Sequence, residues 1–132
     1  LEGLLPFLGK LPGIIVVDHM GRPDVKKGVD HPDFQRFIDL MANNENVWTK
    51  VTCPERLTVQ GVPYDDVVPY YQAIVDRFED RVLWGTDWPH PNMKSHMPDD
   101  GLLVDYTPRI ARSAAQRQKL LVDNPMRLYW AQ

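Results

Sequence analysis

The sequence has little that would place the protein in a membrane or outside the cell. Its 132 residues include one cysteine, Cys53. A disulfide framework needs two, so a reducing, cytoplasmic compartment is the expectation. The longest uninterrupted apolar run is Ile14 to Val17, far short of the roughly 20 residues a membrane-spanning helix needs. The opening Leu-Glu-Gly-Leu-Leu-Pro-Phe-Leu-Gly-Lys has neither the basic start nor the small-residue cleavage site of a signal peptide. A basic surplus is also lacking. Lys and Arg total 15 against 18 Asp and Glu, for a net charge of −3, which points away from nucleic acid and anionic lipid as partners. Internal repeats, heptads and low-complexity tracts are absent.

What is present is an ordinary globular composition, 43% hydrophobic and 25% charged, with 12 prolines, nearly twice the background of roughly 5%. Leu4, Leu5 and Leu8 read as the end of an amphipathic helix, closed by Gly9 and Pro12. A helix already ending at residue 9 implies a chain cut from something longer. Ile14 to Val17 then reads as a buried strand. Pro32 to Asn43 is a helix, with Phe34, Phe37, Ile38 and Met41 as one stripe. Val47 to Thr52 alternates like a strand. A second helix is expected from Pro63 to Phe78 and a third strand from Arg81 to Gly85. A long loop to Tyr106 comes next, then a helix from Thr107 through Leu121 that Asn124-Pro125 breaks, and a last turn with Met126 and Leu128. The order predicts an α/β fold in which parallel strands alternate with helices.

In such sheets ligands gather at the carboxyl ends of the strands. Asp18-His19-Met20-Gly21-Arg22-Pro23, Cys53-Pro54-Glu55-Arg56 and Thr86-Asp87-Trp88-Pro89-His90-Pro91-Asn92 all occupy that end, whereas the opposite connection Asn43-Asn44-Glu45-Asn46 is chemically bland. Asp87, set among apolar neighbours, is the candidate general base for water, with its pKa raised; an aspartate after a strand also serves as a cap. His19 can polarise a carbonyl, move a proton or bind a metal, or simply hydrogen-bond its loop. Arg56 and Arg22 suit bidentate binding of a carboxylate. His90, Asn92 and His96 lie in the loop after Asp87, where polar groups line a pocket or face solvent. Cys53 is a nucleophile only if a base or positive end makes its thiolate, and packing is its commoner role. A hydrolytic metal site needs about three ligands. His19 and Asp87 supply two, without a His-x-His, so no metal site is complete on this chain.

Three segments together carry a resemblance. These are Val17-Asp18-His19-Met20-Gly21-Arg22-Pro23, Leu83-Trp84-Gly85-Thr86-Asp87-Trp88-Pro89-His90-Pro91 and Asp123-Asn124-Pro125-Met126-Arg127-Leu128-Tyr129. They resemble the amidohydrolase superfamily (amidohydrolase family 2), in particular the branch that hydrolyses 2-pyrone-4,6-dicarboxylate. The resemblance implies that residues 1–132 form the C-terminal half of a TIM-like (β/α)8 barrel. A fourth strand is then expected; its location is left open, with the stretch between Pro54 and Tyr64 as room for a short or degenerate one. The resemblance further implies metal-independent opening of an anionic lactone in the breakdown of lignin-derived aromatics. Asp87 would activate water, and His19 would polarise the carbonyl together with two histidines of the first barrel strand. Arg56 would hold a substrate carboxylate, and Arg22 would be a second contact. The implied partners are a small anionic substrate and the N-terminal half of the barrel. No cofactor is implied, and the chain alone is expected to be inactive. The alternatives are a metal-dependent hydrolase or decarboxylase of the same superfamily, using one divalent ion such as zinc, and a non-catalytic α/β interaction domain.

Overall fold

Three short strands, rich in β-branched residues, form the centre of the molecule. The structure, a computed structural model, describes residues 2–130. Strands β1 (Ile15–Val17), β2 (Val47–Lys50) and β3 (Val82–Leu83) lie side by side in that order, all parallel. Val16 is opposite Trp48, Val17 opposite Thr49, and Thr49 in turn opposite Val82. This register brings the three strand ends to one edge of the sheet. The expected parallel α/β architecture is therefore present, with strands somewhat shorter than the apolar runs that announced them. Ile14 is 59% exposed and lies outside β1.

Helix α1 (Leu5–Leu8) ends at Gly9, as the sequence implies. Helix α2 (Pro32–Asn43) starts with Pro32 in its first turn, and the His31 imidazole accepts a hydrogen bond from the Asp33 amide. Its stripe is the predicted one: Phe34, Phe37, Ile38 and Met41 are all buried, at about 1.5–3 kcal/mol each for a fully buried large apolar side chain. Helix α4 (Val68–Phe78) adds Tyr70, Tyr71, Ile74, Val75 and Phe78 to the same core. It begins later than Pro63 because Tyr64 takes a left-handed φ of 63°, which no α-helix accommodates.

The stretch from Pro54 to Tyr64 holds no strand among the described residues; it opens as the short helix α3 (Pro54–Leu57). The reason is local hydrogen bonding. The Thr58 hydroxyl accepts from the Gln60 and Gly61 amides, and the Asp66 carboxylate accepts from the Val59 amide. The donors a ladder would need are already engaged by side chains.

Past the third strand the sequence reading also needs correction. The loop before Tyr106 contains helix α5 (Asp100–Asp105), capped by the Asp99 carboxylate. The expected helix from Thr107 to Leu121 is two helices. α6 (Thr107–Ile110) ends where Ala111 turns extended, and α7 (Ala114–Gln118) restarts with a capping box between Ser113 and Gln116. Asn124-Pro125 does not break the helical path beyond α7. The chain widens into π-helical turns at Lys119–Asp123 and Met126–Trp130. The buried Asn124 amide meanwhile donates to the carbonyls of Glu79 and Val82.

The bottom of the sheet is tied by Arg81. Its guanidinium donates to the carbonyls of Met41, Asn44 and Val47, joining the end of α2 to the start of β2. No helix among the described residues is long and apolar enough to cross a membrane.

Candidate active site

At the carboxyl edge the backbone leaves each strand abruptly. After β1, His19 and Met20 adopt left-handed φ angles of 51° and 55°, and Met20 plugs the core at 1% exposure. Cys53 (φ 62°) turns the chain after β2, and Asp87 (φ 68°) and His90 (φ 56°) turn it after β3. Such conformations cost on the order of 1–3 kcal/mol each in non-glycine residues and persist where surrounding contacts over-determine them. Here they aim three strand ends at one point.

That point is defined by side chains. His19 Nδ1 lies 2.6 Å from the Thr52 hydroxyl. Its Nε2 faces Asp87 Oδ1 at 3.7 Å, Arg56 Nη1 at 3.5 Å and Cys53 Sγ at 3.7 Å. Arg56 Nη1 donates to Asp87 Oδ2 at 3.2 Å, and both side chains are largely shielded from solvent. The adjoining cavity, about 260 Å³, is lined by Asp18, His19, Lys50, Thr52, Trp84, Gly85 and Asp87. Lys50 pairs with Asp18 at 2.7 Å on its rim.

The electrostatics differ from the sequence expectation at one residue. Burial pushes the Asp87 carboxyl up, but the Cys53 thiol, His19 and Arg56 together outweigh it. The group therefore sits below its ordinary value instead of above it. His19 is also held below the ordinary imidazole value, chiefly by burial and secondarily by Arg56, against the pull of Asp87. At neutral pH the site thus pairs an ionised carboxylate with a neutral imidazole. Donation from the Thr52 hydroxyl to Nδ1 would put the His19 ring proton on Nε2, the nitrogen facing the site. The Cys53 thiol is buried and pushed far up by desolvation first, then by Asp87 and Glu55. It stays protonated, which removes it as a nucleophile.

His19, Cys53 and Asp87 bring one potential ligand atom each within 4.8 Å of one another. Glu55, Asp87 and His90 form a second such set. In the first set burial holds the Cys53 thiol protonated, and the Arg56 guanidinium pairs with Asp87 and stands beside His19 Nε2.

Of the residues predicted from sequence, Asp87, His19 and Arg56 converge. Arg22 does not join them. It lines a separate groove between the turn after β1 and helix α2, with Pro23, Asp24 and Lys27 among its neighbours. Its left-handed φ of 59° sends the chain that way. His90 is 2% exposed and faces Glu55 and Asp100 rather than the cavity. Asn92 and His96 are exposed and line neither space. Thr52, Lys50 and Glu55 were not singled out from sequence. Lys50 and Thr52 are two apart in extended chain, which puts them on one face. That periodicity could have found them; nothing local marks Glu55.

Comparison with known proteins identifies the family. The amidohydrolase family profile matches residues 4–130. The chain is 59% identical to a 2-pyrone-4,6-dicarboxylate hydrolase of Comamonas testosteroni, over 98% of this chain and 45% of that protein. It is 44% identical to a 4-sulfomuconolactone hydrolase of Rhizobium radiobacter, over 98% of this chain and 44% of that one. Among solved structures it superposes on a protein of Acinetobacter baumannii described as a probable 2-pyrone-4,6-dicarboxylic acid hydrolase with citric acid bound. That match has a TM-score of 0.81 and 28% identity, and covers 98% of this chain and 48% of the other. The chain spans about half the length of the curated relatives it matches. Its parallel βα units are those of the C-terminal half of a TIM-like barrel, and the chain belongs to the amidohydrolase family.

Proposed function

We propose that this chain forms the C-terminal half of a lactone hydrolase that opens 2-pyrone-4,6-dicarboxylate, or a similar anionic cyclic ester, without a divalent metal. The observation that carries this is the convergence of Asp87, Arg56 and His19 at the carboxyl edge of the parallel sheet. The names of the relatives, two of them hydrolases of anionic lactones, support the substrate class.

The chemistry is set by the charges. A substrate carboxylate engages Arg56 bidentately and draws it from Asp87. Losing that cation raises the basicity of Asp87 just when a base is needed. Asp87 takes a proton from water as its oxygen attacks the lactone carbonyl carbon. Neutral His19 donates from Nε2 to the carbonyl oxygen as negative charge develops there. The tetrahedral intermediate collapses, the ring C–O bond breaks, and the leaving oxygen takes the proton from Asp87. The ring-opened acid then ionises.

The test is a completed barrel: the N-terminal half of the Comamonas testosteroni enzyme fused to this chain. Loss of 2-pyrone-4,6-dicarboxylate is followed optically. Turnover is expected, with Asp87→Asn lowering kcat by about 10²–10⁴-fold. An Asp87→Asn barrel as fast as the unsubstituted one would sink the assignment. Stoichiometric zinc or manganese with chelator-sensitive activity would instead favour the metal-dependent reading, with His19, Cys53 and Asp87 as ligands.

A further inference from the structure

Beside the Arg56–Asp87 pair lies a second cluster that the proposed chemistry does not use. The Glu55 side chain is 3% exposed and the His90 side chain 2% exposed. Among the described residues, Glu55 Oε1, Glu55 Oε2 and His90 Nδ1 have no hydrogen-bond partner. Buried polar atoms in that state are costly unless something satisfies them. His90 Nδ1 and Glu55 Oε1 are 3.5 Å apart, an approach and not a hydrogen bond. It is close to the spacing of two donors on one ion, because ligands bonded tetrahedrally at about 2.0–2.1 Å are roughly 3.3 Å apart. One Asp87 carboxylate oxygen completes the set, the three atoms lying within 4.8 Å of one another.

The far side of the His90 ring is held as a ligating imidazole needs. Nε2 lies 3.1 Å from Asp100 Oδ1. Donation from Nε2 to that carboxylate would leave the Nδ1 lone pair facing Glu55, and a carboxylate behind the ring fixes the orientation of a metal-binding histidine. One imidazole nitrogen with two carboxylates suits zinc or manganese rather than a soft ion. Glu55 lies in α3, which starts from the left-handed turn at Cys53. His90 closes the turn that Asp87 opens, its amide donating to the Asp87 carbonyl at 2.7 Å. The set therefore bridges the chain after β2 and the chain after β3.

We propose that Glu55, His90 and Asp87 form a site for a divalent transition metal such as zinc, and that an ion bound there withdraws Asp87 from water activation. Two of its three ligands lie outside the His19–Cys53–Asp87 set. A carboxylate bound to a doubly charged ion is a weaker base than one facing Arg56 alone, so the ion inhibits. The inhibition rests on the lactonase reading above; the site does not.

The test uses the completed barrel, stripped of metal by a chelator, with zinc chloride as the probe. Calorimetry and metal analysis give a readout independent of activity, and are carried out in the His19→Gln barrel as well, which lacks a ligand of the other set. Stoichiometric zinc is expected in both. Asp100→Asn, which removes only the carboxylate behind the ring, should weaken that binding by about 10–100-fold, and Glu55→Gln and His90→Asn should weaken it by more. Circular dichroism without zinc shows which variants fold. Where Glu55→Gln or His90→Asn does not, the half-exposed Asp100 carries the comparison. Saturating zinc is expected to slow lactone hydrolysis by roughly a hundredfold, the lower range for losing a general base, and to leave Glu55→Gln at its own zinc-free rate. An absence of zinc binding overturns the site, as does zinc that Glu55→Gln keeps and His19→Gln loses. Zinc that binds through Glu55 and speeds hydrolysis overturns the inhibition. If the metal-free barrel hydrolyses no lactone, the functional reading fails and the binding measurements alone decide the site.

Discussion

Arg56 and Asp87 meet at 3.2 Å although 31 residues separate them in the chain. One comes from the helix after β2 and the other from the turn after β3. The contact makes the resting site a closed ion pair, which the proposed carboxylate substrate would open. Replacing Arg56 with Met removes both the carboxylate contact and the cation that restrains Asp87. KM is expected to rise by one to two orders of magnitude, as loss of a charge-assisted contact worth about 1.5–3 kcal/mol implies. Steady-state kinetics on the completed barrel check this, and an unchanged KM would remove Arg56 from substrate binding.

His19 makes stability depend on pH. Its folded pKa lies below the ordinary imidazole value, so the unfolded chain binds its proton at higher pH than the folded one does. Stability from this group is complete above an unfolded value of about 6.5. It is lost as pH falls from there through the folded pKa. The melting temperature should decline between pH 7 and pH 5, and His19→Gln should flatten that decline. A slope identical in the two proteins would contradict the buried, neutral imidazole.

Cys53 should resist alkylation. A buried thiol held protonated is a poor nucleophile. Iodoacetamide at pH 8 is expected to leave the folded protein unlabelled by mass spectrometry and to label it fully in denaturant. Rapid labelling of the folded state would restore Cys53 as a reactive group.

Arg81 should matter to the fold and not to the chemistry. Its guanidinium satisfies three backbone carbonyls at the end of the sheet opposite the site. Arg81→Ala should cost about 3 kcal/mol, given the strength of charged hydrogen bonds and the penalty for orphaned acceptors. Urea unfolding measures it; a loss under 1 kcal/mol would mean water replaces the guanidinium freely.

The isolated chain should not turn over lactone. β1 and β3 each pair with one strand only, leaving open edges, and Ile14, Trp88 and Trp130 are 59%, 76% and 64% exposed. Added N-terminal half should restore activity. Full turnover by the 132 residues alone would contradict the half-barrel reading.

Some of this architecture was legible in the chain because it is written in short-range patterns. The 3.6-residue stripe of α2 and the β-branched runs of β1 and β2 depend on neighbours a few positions apart. So does the placement of His19, Arg56 and Asp87 just past the strands. The resemblance segments added the barrel to which those units belong. What the sequence could not decide depends on contacts across 30 or more residues. Asp87 looked like a carboxylate with a raised pKa because its sequence neighbours are apolar; its spatial neighbours are Arg56, His19 and Cys53, and they lower it. Arg22 and Arg56 came after strands in the same way, yet the left-handed turn at Arg22 carries it to the α2 groove. The expected strand after Pro54 yielded to hydrogen bonds from Thr58 and Asp66. Glu55 and His90, unremarkable in their own segments, are opposite each other only because the parallel register brings the ends of β2 and β3 together. Local periodicity determined the elements and the edge of the sheet that carries chemistry. The charge state and partners of each group there were decided by tertiary packing, because desolvation and Coulomb interactions act through space and not along the chain.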